Sequence, residues 1–469
     1  METIVLPYWV FILLVVFAAV MVLDRILLPG MRWYLKRRVN RVIEEINSRL
    51  DIEIRPFQFT KRQALIDQLV FDDKVIDAIK LYADEKDMPH AIAQEKARKY
   101  ASEIIPAFNA YIYFRIGYWL AKKMARLVYR VRVGFYDNDK ISKSDSNASV
   151  VFVMNHRSNM DYVLVSFLAA EKTTLSYAVG EWARIWPLQT LIKAMGAFFV
   201  RRNSGNALYR KVLERYVNMS TRAGVCQAVF LEGGLTRDGA LREPRLGFLD
   251  YMLRDYHLHN DRDIVFIPVG INYDRVIEDR SLIRRLDKTA TKRSGWFVIK
   301  TTVAFIFKNA LLTRKNRWRR FGYASVNFGE PVSAKEYSAA NEIDFSSLSK
   351  DERFVNVQAL ADKIMSNITQ VVPVVPNALM SEILLKNRQQ WKSELELKAE
   401  CCERINQLQA AGAPIDISPS AVESVLGSAI DVLLGRGLVE EENNLYRMKE
   451  TEFDIINYYA NSIVHWRKD

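Results

Sequence analysis

A chain of 469 residues with 49% hydrophobic and 11% aromatic side chains carries far more apolar material than a disordered chain, and is long enough for a catalytic domain with one or two smaller parts. Lys and Arg outnumber Asp and Glu by 67 to 55, a net charge of +12, so an anionic partner is expected: nucleic acid, an anionic bilayer or a phosphorylated substrate. Cys226, Cys401 and Cys402 offer no CxxC spacing and no disulfide framework, which suits a reducing compartment, and His257 with His259 is the single histidine pair close enough to suggest a metal. No Cys or third His stands near that pair.

Residues 4–23 contain no charge and are long enough to cross a bilayer as a helix. Glu2 is the only charge before them, where a cleavable signal peptide would want a basic segment, so an uncleaved anchor is expected over residues 1–30. Arg25, Arg32, Lys36, Arg37, Arg38 and Arg41 follow it, and the positive-inside rule then puts the bulk of the protein on the cytoplasmic side of the inner membrane. The region 31–136 reads as helical, punctuated by Pro56, Pro89 and Pro106, with Leu65, Leu69, Val75, Ile76 and Ile79 at roughly helical spacing. Its last part, 108–131, interleaves aromatics with Arg115, Lys122, Lys123, Arg126 and Arg130, the composition either of a membrane-interfacial helix or of a helix packed on the domain. The polar stretch 137–147 is the best domain boundary.

The run 150–153 is apolar without alternation, as in a strand buried on both faces, and ends in a polar turn carrying His156. A helix over 160–170 puts Asp161 in its first turn. An imidazole there can take a proton from a hydroxyl, and a nearby carboxylate can fix its tautomer; the plain alternative is a satisfied histidine at a turn. The theme repeats at 196–202, 228–237 and 264–273, with a helix over 207–221 between the first and second of these, so an α/β domain with a mainly parallel sheet flanked by helices is predicted over 148–335. Ligands gather at the carboxyl ends of such strands, where His156, Arg201, Arg202, Glu232, Thr236 and Arg237 would converge. Arginines suit phosphate, and the pair Gly233 and Gly234 lets backbone approach a ligand. Equally, the arginines can be a sheet-edge ion pair, Glu232 its partner, and the glycines a turn. The apolar segment 296–312, interrupted by Lys300 and Lys308, reads as an interfacial or core helix, and a basic cluster over 314–322 leads into a strand ending at Pro331. Residues 350–469 read as amphipathic helices without chemistry, packed on the catalytic domain.

Four blocks, NHRSNMD, GAFFVRR, FLEGGLTR and IPVGINY, stand in order, and together they resemble those of the glycerolipid acyltransferase family with the HxxxxD motif, closest to bacterial glycerol-3-phosphate acyltransferases and dihydroxyacetone-phosphate acyltransferases. The likeness extends to ALIDQLVFDDKVIDAI before the domain and to VNFGEPVS, VVPNALMSEILL and YYANSIVHW after it, although the long ends of the larger bacterial enzymes are missing. It implies His156 as general base with Asp161 orienting it, and direct attack of a substrate hydroxyl on the thioester of acyl-CoA or acyl-carrier protein. It further implies that Arg157, Ser158, Arg201, Arg202, Glu232, Gly233, Thr236 and Arg237 bind the phosphorylated acceptor, and that Pro268 serves donor binding or shape. The third block departs from the family pattern, with Leu235 and Thr236 in place of an Arg and a Ser; Arg242 or Arg245 could substitute, or be solvated loop charges.

The resemblance thus implies a membrane-bound enzyme that acylates the sn-1 hydroxyl of glycerol 3-phosphate to lysophosphatidate, with membrane lipid as a further partner and no metal or redox cofactor. The alternatives are lysophosphatidate or dihydroxyacetone phosphate as acceptor, or a non-catalytic membrane scaffold. No GxSxG elbow supports a hydrolase and no motif supports nucleic-acid binding.

Overall fold

The computed structural model describes residues 55–134, 147–169, 173–180, 188–201, 204–284, 321–415 and 421–467, with a few isolated positions besides. All of the expected span 4–23 but Tyr8, Ile12 and Val15, its basic flank, almost all of the polar boundary 137–147, Arg202, the segment 296–312 and nearly all of the basic cluster 314–322 lie outside the described residues. Among the described residues no single helix is long and apolar enough to cross a membrane. The chain divides into a unit of Met1–Glu53 and a unit of Ile54–Asp469, and every element named here belongs to the second.

After a single helical turn, Pro56–Phe59, come α1 (Arg62–Val70), α2 (Asp73–Glu85) and α3 (His90–Ile104). Asp72 caps α2 by accepting from the Lys74 amide, and Pro89, which has no amide hydrogen to lose, precedes α3. A π-helical turn, Ile112–Gly117, runs into α4 (Tyr118–Val128). Tyr129 then turns extended, and Arg130–Val133 forms β1, where the sequence pattern predicts helix; the alternating RVRV suits a half-exposed edge strand.

An eight-stranded sheet comes next. Its strands are β1, β2 (Ser149–Met154), β3 (Ser176–Gly180), β4 (Phe198–Val200), β5 (Gln227–Phe230), β6 (Ile264–Tyr273), β7 (Tyr323–Phe328) and the short β8 (Val332–Ser333). The order is β1-β7-β6-β2-β5-β3-β4, with β8 on β6. β6, β2, β5, β3 and β4 are mutually parallel, whereas β7 and β8 run antiparallel to β6. The sheet is therefore mainly parallel, in an α/β arrangement. β2, β6 and β7 are buried along their whole length, which explains the mainly apolar runs of β2 and β6, while β7 buries Ser325 and Asn327 as well. β3 escapes a sequence reading because SYAVG is short and holds a glycine and a serine.

The crossover helices are α5 (Met160–Ala169), α6 (Leu188–Ala194), α7 (Ala207–Arg222) and α8 (Gly247–Leu253). Arg215 on α7 reaches both Asp72 (2.9 Å) and Asp255 (2.6 Å), tying the opening helices to the sheet layer. Beyond the sheet, α9 (Lys350–Val371) starts in a capping box made by Ser349 and Glu352. Its far end lies against β6 so closely that a Cβ at Gly270 would sit 2.4 Å from the Val371 carbonyl oxygen. The rest is α10 (Pro376–Lys386), α11 (Glu394–Ala410), α12 (Val422–Gly435), α13 (Phe453–Ala460) and a 3-10 turn, Asn461–Trp466. This region is not wholly helical as its periodicity predicts. β9 (Lys392–Ser393), β10 (Val439–Glu442) and β11 (Leu445–Met448) form a small antiparallel sheet, turned at Asn443 and Asn444, both at positive φ.

Candidate active site

His156 stands just past the end of β2, and both neighbouring strands hold it. On the β6 side the Asn155 amide donates to the Ile271 carbonyl (2.9 Å) and its oxygen accepts from the Ile271 amide (2.7 Å), so a side chain continues the ladder. On the β5 side the His156 amide donates to Glu232 Oε1 (3.0 Å), and the His156 carbonyl accepts from the Thr236 amide (3.0 Å). Ser158 then starts α5, its hydroxyl accepting from the Met160 amide (3.1 Å) and donating to Glu278 (2.7 Å).

Asp161 is fully buried. Its Oδ2 accepts from His156 Nδ1 (2.9 Å) and from the Arg157 and Ser158 amides (2.7 and 3.0 Å), and its Oδ1 accepts from the Tyr273 hydroxyl (2.6 Å). A carboxylate can only accept, so Nδ1 carries the hydrogen and Nε2 the basic lone pair. Among the described residues no hydrogen bond is made to Nε2. The imidazole stacks on Phe230, with ring centres 3.9 Å apart and planes at 24°, and meets the edge of Tyr162. It lines a partly open cavity, whose other walls include Ala178, Gly180, Val200, Phe230 and Phe248. Gly233 and Arg245 stand at the same cavity, the Arg245 chain passing so close that a Cβ at Gly233 would lie 2.8 Å from it.

The other expected residues divide between the cavity and its supports. Arg157, 1% exposed, donates to the Gly239 and Ser462 carbonyls (2.5 and 3.2 Å) and holds the third-block loop against the C-terminal turn. Glu232 is buried, with Oε2 unpartnered among the described residues; burial pushes its carboxyl up to about 8, against the opposing pull of the His156 amide and of Arg157 and Arg242. The Thr236 hydroxyl donates to the Ala240 carbonyl (2.7 Å), within its own turn, and Arg237 is exposed. Pro268 lies inside β6 opposite Val153. Arg201 does not reach His156: it makes a two-point sheet-edge ion pair (2.8 and 2.6 Å), with Glu103 and not with the Glu232 that the sequence offers as partner. His257 Nδ1 meets the Ser346 hydroxyl (2.8 Å), and among the described residues no metal-binding group of His, Cys, Asp and Glu occurs.

Sequence reasoning missed Tyr273, Glu278, Phe230, Asn155 and Ser462. Tyr273 and Asn155 stand inside the quoted blocks, and a search there for side chains able to bond Asp161 or a strand end would have found them. Glu278, five residues beyond the fourth block, is a buried carboxyl that binds Ser158 and Asn159 (2.7 and 3.1 Å) and is raised by burial; no sequence signal marks it.

His156 stands at a buried strand end, oriented by a carboxylate and lining an apolar cavity, an arrangement in which its Nε2 can take a proton from a hydroxyl. The Acyltransferase family model matches residues 132–272, and the model described as the glycerol-3-phosphate acyltransferase C-terminal region matches 308–467. The chain is thus similar to acyltransferases over the first of these stretches and to the C-terminal region of glycerol-3-phosphate acyltransferases over the second. Curated relatives named glycerol-3-phosphate acyltransferase include those of Xanthomonas axonopodis pv. citri (25% identical, covering 92% of this chain and 48% of the relative), Pseudoalteromonas atlantica (26%, 86% and 50%) and Actinobacillus succinogenes (27%, 86% and 49%). The chain spans about half the length of the curated relatives it matches. A solved 1-acyl-sn-glycerophosphate (LPA) acyltransferase from Thermotoga maritima aligns at 15% identity and a TM-score of 0.30 over 54% of this chain and 78% of that one, too low to carry an argument.

Proposed function

We propose that the chain transfers a fatty acyl group from acyl-CoA or acyl-carrier protein to the sn-1 hydroxyl of glycerol 3-phosphate, giving lysophosphatidate. The observation that carries this reading is the His156–Asp161 pair, buried and 2.9 Å apart, on a ring that lines an apolar cavity. His156 Nε2 takes the hydroxyl proton as the oxygen attacks the thioester carbonyl. The C–S bond then breaks, and the same proton passes from the imidazolium to the leaving thiolate. Asp161 stabilises the imidazolium in between. No covalent acyl-enzyme forms, and the reaction needs no metal or redox cofactor. Arg237 and Arg245 serve the acceptor phosphate, Arg245 in place of the arginine that Leu235 replaces; its position across Gly233 at the cavity supports this.

The protein works at the cytoplasmic face of the inner membrane, anchored through residues 4–23. Exposed Tyr111, Ile116 and Trp119, with Arg115, Lys123 and Arg126 on the same stretch, support an interfacial role for the end of the helical region. The test is acyl transfer by membranes containing the protein, offered labelled acyl-CoA with glycerol 3-phosphate, dihydroxyacetone phosphate or lysophosphatidate in separate reactions, beside His156→Ala. Product from glycerol 3-phosphate that the variant does not make is expected. Product from another acceptor alone would move the substrate, and none from any acceptor, with acyl-carrier protein as donor too, would leave a scaffold.

A further inference from the structure

The cavity leads away from His156 toward the β4 edge of the sheet, and at that edge four cations gather. Arg201, one residue beyond the cavity-lining Val200, and Arg184, four beyond the cavity-lining Gly180, both pair with Glu103 of α3. Lys193 of α6 donates to the Ser102 carbonyl (3.2 Å) and Arg62 of α1 to the Ile105 carbonyl (3.2 Å), two main-chain oxygens on either side of that carboxylate. Arg184 and Lys193 both lie over the Phe199 ring, at 5.8 and 5.9 Å. Arg184 Nε is buried without a hydrogen-bond partner among the described residues. Burial, with Arg62 and Arg184 adding to it and Glu103 opposing it, pulls the Lys193 ammonium down to about 8. Among the described residues one carboxylate stands against four cations, and half-buried excess charge of this kind is relieved by an anion.

Register says how far that anion lies from the base. Met154 is level with Phe230 and Val179 with Phe199; extending the Tyr177–Ala228 pairing by two residues puts Val179 level with Phe230. His156 and Arg201 each stand two residues beyond that row, at the ends of strands three spacings apart, about 14 Å. Glycerol 3-phosphate separates its hydroxyl from its phosphorus by about 6 Å, whereas an extended pantetheine arm separates thioester from phosphorus by about 15 Å, at peptide-like bond geometry. The acceptor is too short to bridge the two places. The donor is not.

We propose that Arg62, Arg184, Lys193 and Arg201, arranged around Glu103, bind the phosphopantetheine phosphate of the acyl donor, the group that acyl-CoA and acyl-carrier protein share. Arg201 then serves the donor and not the acceptor, and Glu103 holds its guanidinium in place. This rests on the acyl-transfer reading of the His156 site, but it is open to a binding measurement that needs no turnover. In calorimetric titrations of the full-length wild type, coenzyme A and phosphopantetheine should each bind at least about ten-fold more tightly than pantetheine, which lacks the phosphate. Equal affinity for all three would overturn the proposal whatever the enzyme catalyses, while absence of acyl transfer with this preference intact would count against the reading of the His156 site alone. In turnover assays Lys193→Ala and Arg184→Ala should raise KM about ten-fold for acyl-CoA and for acyl-carrier protein alike, with KM for glycerol 3-phosphate moving by less than about two-fold, and Lys193→Arg should recover most of the loss. A rise in the acceptor KM instead would give the cluster to the acceptor phosphate. A rise for acyl-CoA alone would give it to the nucleotide phosphates. Either result overturns the assignment.

Discussion

Tyr273, the last residue of β6, donates to Asp161 at 2.6 Å, so the fourth sequence block steadies the carboxylate of the first. Tyr273 is buried, and burial beside Asp161 drives its phenol well above its ordinary range, keeping it a donor throughout the working pH. Tyr273→Phe removes that one hydrogen bond and little volume. We expect kcat to fall roughly ten-fold, as for about 1.5 kcal/mol, with both KM values nearly unchanged. A merely structural tyrosine would lower stability without lowering kcat.

Asp161→Asn tests the tautomer directly. The carboxamide can present its NH2 to His156 Nδ1 and drive the hydrogen to Nε2, where the base is needed. A loss in kcat on the order of a thousand-fold or more is expected, with the melting profile showing a folded protein. Activity within ten-fold of the wild type would remove Asp161 from the mechanism.

Glu232 sets a pH dependence of stability. Its carboxyl is raised from 4.5 to about 8, so the folded state favours the protonated form. The stabilisation is fully present below the unfolded-state pKa and is lost as pH rises through the folded one, here from near 4.5 to about 8. Glu232→Gln keeps the acceptor for the His156 amide but cannot ionise. Melting temperatures of the two proteins from pH 5 to pH 9 should therefore diverge, the variant gaining on the wild type as pH rises. A constant difference would mean that Glu232 is ionised in the folded state throughout.

Gly239 has φ of +88°, and a Cβ there would stand 1.8 Å from the Tyr458 carbonyl oxygen. Gly239→Ala must push the loop 236–240 off the C-terminal segment, disturbing the carbonyl that Arg157 binds. A loss of about 3 kcal/mol is expected from the strained backbone and the displaced contacts together, read in denaturant unfolding.

Arg237→Ala and Arg245→Ala separate the two candidate acceptor ligands. Each should raise the KM for glycerol 3-phosphate by an amount matching a lost charge-assisted hydrogen bond, about 1.5 to 3 kcal/mol, with the donor KM little changed. An effect from Arg245 alone would mean that the cavity arginine has taken over from the third-block position.

How much of the fold and site is legible in the sequence depends on the range of the interaction. β2 and β6 are readable because strands buried on both faces need mainly apolar runs, and α7 because its apolar residues recur at helical spacing. The His156–Asp161 pair is readable because five residues and one helical turn bring the two side chains together whatever the remainder of the chain does. β1, β3 and the small sheet of β9, β10 and β11 are not, because strands this short carry too little pattern and are fixed by their neighbours.

The sequence by itself determined the arrangement within a single turn: the imidazole, its carboxylate, the buried strand beneath them and the four ordered blocks. Tertiary structure alone decided which distant groups complete it. Tyr273 reaches Asp161 across 112 residues and Arg157 reaches Ser462 across 305. Arg201, which the sequence sets among the acceptor ligands, is carried by the strand order to the far edge of the sheet, where Glu103 holds it. Nothing local encodes such partners, because strand order, and not separation along the chain, sets the distance between strand ends.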